Sequence, residues 1–131
     1  MELVTRMAQE VGARTLFLTP EAHDSMLAVT SHLPHILAAA LMRQASEKQR
    51  DYPETSQLTA GSFADATRVA ASSPELWRDV CLSNRDAILH ALREFRGELS
   101  RLENAIITED PQRIEEFFGG AASAKRGWGT L

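Results

Sequence analysis

Apolar residues recur along most of this chain at intervals of three and four, the repeat of a helix face turned toward a core. Leu3, Val4, Met7, Ala8 and Val11 keep that spacing up to Gly12, a residue suited to the left-handed turn after a helix. Thr15, Leu16, Phe17 and Leu18 then form a compact β-forming run before Thr19 and Pro20, which predicts a short strand. A lone strand leaves its backbone donors and acceptors unpaired, so this half of an α/β unit either pairs with a strand of another chain or is the leftover edge of a missing sheet, which points to truncation.

Thr19-Pro20-Glu21 combines an N-cap, a first-turn proline and an acid near the positive end of the helix dipole. The helix it opens carries Met26, Leu27, Val29, Leu33, Ile36, Leu37, Ala40 and Leu41 and is expected to end near Arg43. Pro34 falls inside it and lacks the N–H that would bond the Thr30 carbonyl, which predicts a kink or break. Residues 47–57, polar and containing Pro53, are expected to be an exposed connection. A short helix over 63–71 follows Gly61 and Ser62. Ser73-Pro74-Glu75 repeats the capping order and opens a long helix with the seam Trp77, Cys81, Asn84, Ile88, Ala91, Phe95, Leu99, Leu102 and Ile106. As one helix, residues 74–106 would span about 50 Å, against a diameter of roughly 36 Å for a compact domain of this length, so a second subunit is expected to cover it. Asp110-Pro111 starts a last helix through Phe117 and Phe118, with Gly119-Gly120 as its expected frayed end and residues 125–131 as a mobile tail. The fold class is mainly α: a helical bundle with one long helix, plus a residual helix and strand.

Composition narrows the function. The 131 residues fit one domain, and 44% hydrophobic with 24% charged residues suits a globular core. Lys and Arg number 14 against 18 Asp and Glu, so no excess of cation points to nucleic acid or to an anionic membrane surface. The longest apolar run, residues 36–42, is far short of the ~20 residues of a membrane span. A single cysteine, Cys81, suits a reducing compartment, and Glu2, Arg6, Gln9 and Glu10 interrupt any signal-peptide core, so a cytoplasmic location is expected.

Three of the four histidines lie in His23-Asp24 and Ser31-His32-Leu33-Pro34-His35. His32 and His35, three apart, share a face on a regular helix and could line a polar pocket, ligate a metal, or divide into one core group and one exposed ring. A zinc site would need His23 or Asp24 to complete it, and no metal is expected. Asp65 and Arg68 are also three apart: either a surface ion pair, or an Arg68 fork offered to a substrate carboxylate with Asp65 holding it. Trp77 reads as core with an indole N–H in need of a partner, Cys81 as a small buried hydrophobe, and Asn84 as a buried amide fixing register or bonding a neighbouring loop. Glycines 12, 61, 97, 119, 120, 127 and 129 form no G-x-G-x-x-G or phosphate loop, and no G-x-S-x-G elbow occurs.

His23-Asp24, the segment Thr30-Ser31-His32-Leu33-Pro34-His35 and the segment from Gly61-Ser62-Phe63-Ala64-Asp65-Ala66-Thr67-Arg68 to Pro74-Glu75-Leu76-Trp77 resemble, in content, order and separation, the C-terminal helical domain of prephenate dehydrogenases. Asp79 and Asn84-Arg85 extend the resemblance, which covers about residues 12–106. It implies a helical dimerisation domain over residues 19–131, with residues 1–18 the remnant of a truncated Rossmann domain. It implies oxidative decarboxylation of prephenate to 4-hydroxyphenylpyruvate with NAD or NADP, in tyrosine biosynthesis, by a homodimer joined through the long helix. Arogenate is the nearest variant substrate. The catalytic histidine and the cofactor site would lie in the missing Rossmann domain, so no catalytic or cofactor-binding residue is expected here and the chain alone is expected to be inactive. His32, His35 and Arg68 would bind substrate, and His23, Gly61, Asp65 and Trp77 would support them. Ser62 stands where the family carries a further glycine. Two other readings are a non-catalytic helical dimer with a regulatory or scaffolding role, and a metal-dependent hydrolase built on His23-Asp24.

Overall fold

The computed structural model describes residues 2–129 and contains seven α-helices among them. Two compact units divide the chain, residues 1–88 and 89–131. The first holds α1 (Glu2–Glu10), α2 (Pro20–Leu27), a π-helical turn (Ala28–His32), α3 (Leu33–Asp51), a 3-10 segment (Pro53–Leu58), α4 (Gly61–Thr67), a second 3-10 segment (Arg68–Ala71), α5 (Pro74–Ser83) and the start of α6 (Arg85–Ile107). The second holds the rest of α6 and α7 (Pro111–Gly127).

The helix ends follow local chemistry. Thr19, Ser73 and Asp110 each accept a hydrogen bond from a first-turn N–H, those of Ala22, Leu76 and Arg113, and each is followed by proline. Gly12 closes α1 at φ 80°, its N–H donating to the Gln9 carbonyl and that of Ala13 to Ala8. The same paired closure recurs after α6, where the Glu109 N–H donates to Ile106 and that of Asp110 to Ala105. There the left-handed position, φ 49°, is held by Glu109, whose side chain makes that conformation cost about 1 kcal/mol or more.

Four sequence expectations need correction. Residues 13–19 run without helix or strand assignment, so Thr15–Leu18 are no strand: β propensity yields a strand only beside a partner backbone, and none is paired here. Helix α3 continues past Arg43 to Asp51, and the connection after it winds into 3-10 turns. The helix predicted over 74–106 is two helices, divided at Asn84, whose backbone leaves the helical region at φ −113°, ψ 37°. Helix α7 passes through Gly119 and Gly120 to Gly127, because the cost of about 1 kcal/mol per glycine weakens a helix without ending it. Of the tail expected to be mobile, residues 125–127 are helical and Thr130 and Leu131 lie outside the described residues.

Pro34 does not break its helix. The turn before it widens so that the Leu33 N–H bonds the Ala28 carbonyl five residues back, and helix resumes at once. Pro20–Asp51 is consequently one helical stretch of 32 residues with an 18-residue window of mean hydropathy 1.4; by length and composition alone it could cross a bilayer, which the short apolar runs in the sequence do not suggest.

In the first unit, α3 packs against α4 and both 3-10 segments, and Ala28, Leu33, Ala38 and Ile88 are buried. In the second, the buried residues are Ala91 and Ala105. No large side chain is fully enclosed. Trp77, Cys81, Phe95 and Leu102 of the predicted seam are half-buried, whereas Leu99 and Ile106 are exposed. Large apolar side chains are exposed, at Leu3, Val4, Leu16, Phe17, Met26 and Val29 among others.

Replacing Glu109 by glycine relieves the left-handed side chain at the α6–α7 turn. Glu109→Gly is expected to raise unfolding free energy by about 0.5–1 kcal/mol in urea titration; an unchanged or lower midpoint counts against that account of the turn.

Candidate functional site

The widened turn and Pro34 fix where the two neighbouring histidines stand. His35 stacks on the Trp77 indole at 4.2 Å between ring centroids and 26° between planes. His32 meets the same indole edge-on, at 6.1 Å and 81°. Trp77 reaches them because the Ser73 cap and Pro74 place it on the first turn of α5, on the face that α5 turns to α3.

Asn84, at the break between α5 and α6, closes the group from the other side. Its amide nitrogen donates to the Asp24 carbonyl at 2.8 Å and lies 3.2 Å from His32 Nδ1. Asp24 in turn meets His23 Nδ1 through its carboxylate, at 3.0 Å. His35 Nδ1 donates to the Ser31 carbonyl at 3.1 Å. The withdrawal of His32 from water pushes its ring below the usual 6.5, against the opposing Asp24 carboxylate and with added repulsion from His23 and His35. His32 is therefore a neutral ring near pH 7.

His35 and Trp77 form one wall of an open, largely apolar cavity of about 810 Å³ between α3 and α5. Ile36, Ala39, Val69, Ala70 and Cys81 line it, with Arg43, Ser46, Ser72 and Arg78 as its polar groups. Arg78 is held by Asp79 at 2.8 Å, while no ion pair engages Arg43 among the described residues. The sequence reading missed both arginines. A signal was present: 35, 39, 43 and 46 share a helix face, as do 74, 77, 78 and 81.

The other expected site residues are not gathered here. Arg68 is exposed at the start of its 3-10 segment, next to the cavity-lining Val69, and α4 ends before the turn that would align it with Asp65; no ion pair joins the two among the described residues. Gly61 begins α4 with no atom within 4 Å of where a Cβ would stand. No three His, Cys, Asp or Glu side chains are placed to hold a metal ion among the described residues. Nor do those residues contain a strand leading into a glycine-rich loop.

The site thus places two histidines on one tryptophan beside an apolar cavity with two arginines at its wall. Residues 19–120 match the family described as prephenate dehydrogenase, dimerization domain, and the chain belongs to that family. It is similar to the prephenate dehydrogenase of Bacillus subtilis (strain 168), 34% identical over 127 residues, which span 97% of this chain and 34% of the relative. It is also similar to the cyclohexadienyl dehydrogenase of Zymomonas mobilis, 42% identical over 119 residues, 89% of this chain and 40% of that protein. The crystal structure of Aquifex aeolicus prephenate dehydrogenase in complex with hydroxyphenyl propionate and NAD+ superposes with a TM-score of 0.83 at 30% identity, over 96% of this chain and 44% of the other. Synechocystis arogenate dehydrogenase shares the fold, with a TM-score of 0.85 at 23% identity, over 96% of this chain and 46% of the other. The chain thus spans less than half the length of each of these relatives.

An unfolded histidine takes up a proton more readily than the folded His32 ring. The stability contributed by neutral His32 is therefore complete above pH 6.5 and is lost as the pH falls from there through the lower folded value. Urea unfolding between about pH 8 and 5 is expected to show stability declining below pH 6.5 in the wild type and a flatter profile in His32→Gln. Superimposable profiles would remove His32 as the source.

Proposed function

We propose that this chain is the substrate-binding and dimerization part of an NAD(P)-dependent dehydrogenase that oxidatively decarboxylates prephenate to 4-hydroxyphenylpyruvate in tyrosine biosynthesis. The observation that carries this reading is the packing of His32 and His35 on Trp77, beside an apolar cavity, within the residues that match the family.

The work done here is binding and orientation. His35 and His32 hydrogen-bond the substrate, and the indole they lie on fixes their planes. Arg68, free of ion pairs among the described residues, presents two parallel N–H groups to one substrate carboxylate. Asp65 pairs with an arginine at the pocket mouth, and His23 supports the Asp24 turn. The open space at Gly61 is where the partner subunit approaches. NAD(P)+, when bound, supplies the hydride acceptor from a dinucleotide-binding domain, and loss of CO2 restores the aromatic ring. Residues 1–18 belong with that domain, and the exposed Leu16 and Phe17 are apolar surface for it to cover.

The exposed apolar side chains Met26, Val29, Leu41 and Met42 on the stretch Pro20–Asp51 give this helical domain a surface to bury in a homodimer. That, rather than a bilayer, accounts for the apolar character of the stretch. A second reading, favoured by the 42% identity to a cyclohexadienyl dehydrogenase, is that arogenate, with an amino group in place of the side-chain keto group, is accepted as well.

Mixed with a separately expressed dinucleotide-binding half, the purified chain is expected to support prephenate-dependent formation of NAD(P)H. Arg68→Ala is expected to raise KM for prephenate about 10- to 100-fold. Association of the halves with no turnover would favour a scaffolding dimer and return His32, His35 and Arg68 to structural roles. In sedimentation equilibrium the chain is expected at twice its 14.5 kDa mass, and a strict monomer would remove the proposed subunit surface.

A further inference from the structure

We infer that the cavity between α3 and α5 of one copy receives the Leu99, Glu103 and Ile106 face of α6 from a second copy, with the partner's Glu103 paired to Arg43. This rests on the homodimer proposed above and deepens it by naming the segments that meet.

The α6 face is open in the single chain. Leu99, Glu103 and Ile106 are four and three apart and so share one side of the helix. Leu99 and Ile106 are 48% and 56% exposed. The adjoining side of α6 is already used: Leu102 lines a groove with Phe117 of α7, and Ala105 is buried. From residue 89 onward Ala91 and Ala105 are the only buried residues among those described, so these helices have little core of their own to hold them.

The cavity matches that face in length, chemistry and charge. Its α3 side runs from His35 to Ser46, about 16 Å of helix, and the α6 face from Leu99 to Ile106 is about 10 Å long. Ile36, Ala39 and Val69 offer apolar contact for the leucine and isoleucine side chains. Arg43 stands in these apolar surroundings without an ion pair among the described residues, and Glu103 stands without one between Leu99 and Ile106. Such a pair, brought together as water leaves, fixes the register of the two helices. A small ligand in the cavity would leave the α6 face bare, whereas a second copy covers both surfaces. Because both belong to the same chain, a two-fold axis makes the contact twice and closes the assembly. His35 and Trp77 line the same cavity, so the seated helix also backs the rings proposed to hold substrate.

The test is charge reversal with mixing, read by sedimentation equilibrium of the full chain. Arg43→Glu sets two carboxylates against each other at both contacts and Glu103→Arg sets two guanidinium groups; each alone is expected to weaken dimerisation at least about tenfold. In the mixed dimer of the two variants both contacts carry opposite charges, and mixing is expected to restore the wild-type dissociation constant. Single variants that dimerise like the wild type, or a mixture as weak as its components, overturn the inference. Circular dichroism checks that each variant keeps its helicity, and should either unfold, the wild type decides through Cys81, the one cysteine, which lines the cavity. Its alkylation by iodoacetamide is expected to slow at least about tenfold from dilute monomer to concentrated dimer. A rate independent of protein concentration overturns the inference. A dimer indifferent to both charge reversals sinks this inference alone, whereas the expected rescue in a complemented enzyme without turnover sinks the proposed activity alone.

Discussion

A proline that cannot donate, set in the middle of a helix that does not end, is the constraint from which the site follows. With Pro34 in a regular α-helix, the Thr30 carbonyl would lose its donor and the ring would crowd the turn before it, at a cost of about 3 kcal/mol. Widening the turn at Ala28–His32 shifts the hydrogen bonds back by one residue and lets α3 begin at Leu33. Such π turns are uncommon and often mark functional positions. Here the turn brings together a ring bonded to the backbone of its own helix, His35 on Ser31, and a ring reached from another segment, His32 by Asn84.

The break at Asn84 is the second half of the same arrangement. Backbone bonds from Asn84 to Val80 and from Ile88 to Asn84 continue the helical ladder on both sides, so the departure is confined to one residue. What that residue gains is two long-range contacts, to Asp24 and His32, which an amide facing outward from a continuous helix would not make. A polar residue in an apolar seam has hydrogen-bonding needs that packing alone cannot meet. The chain satisfies them by bending the seam, and the bend ties α2 and the π-helical turn to the junction of α5 and α6.

What was legible in the sequence was local. Thr19, Ser73 and Asp110 cap helices because the oxygen of a short polar side chain lies within reach of the N–H groups of the following turn. Gly12 turns left-handed because glycine does so without strain. The likeness to prephenate dehydrogenases was legible in the segments around His32, His35 and Trp77, and the match over residues 19–120 bears out that family. Illegible features depended on distant atoms. Thr15–Leu18 have the side chains of a strand but no neighbouring backbone, so propensity misled. Glu109 occupies a position that favours glycine because the α6–α7 closure, two backbone bonds, outweighs one residue's preference. Arg43 reaches the cavity through helical periodicity alone and was hidden among solvent-facing polar neighbours.

The two histidines also show why residue type alone underdetermines a site. His32 and His35 are chemically identical, three positions apart and in contact with one indole, yet their neighbours assign them opposite polarity. The assignment comes from a carbonyl in one case and an amide in the other. Neither group titrates in the range where proteins function, so the polarity they impose does not drift with pH as that of a carboxylate partner would. It does limit protonation: a proton placed on His32 Nδ1 would meet the amide N–H, so taking it up requires the hydrogen bond to break. A ring held in this way serves as a fixed donor and is poorly suited to shuttling protons. That suits the proposed role of the two rings in holding a substrate.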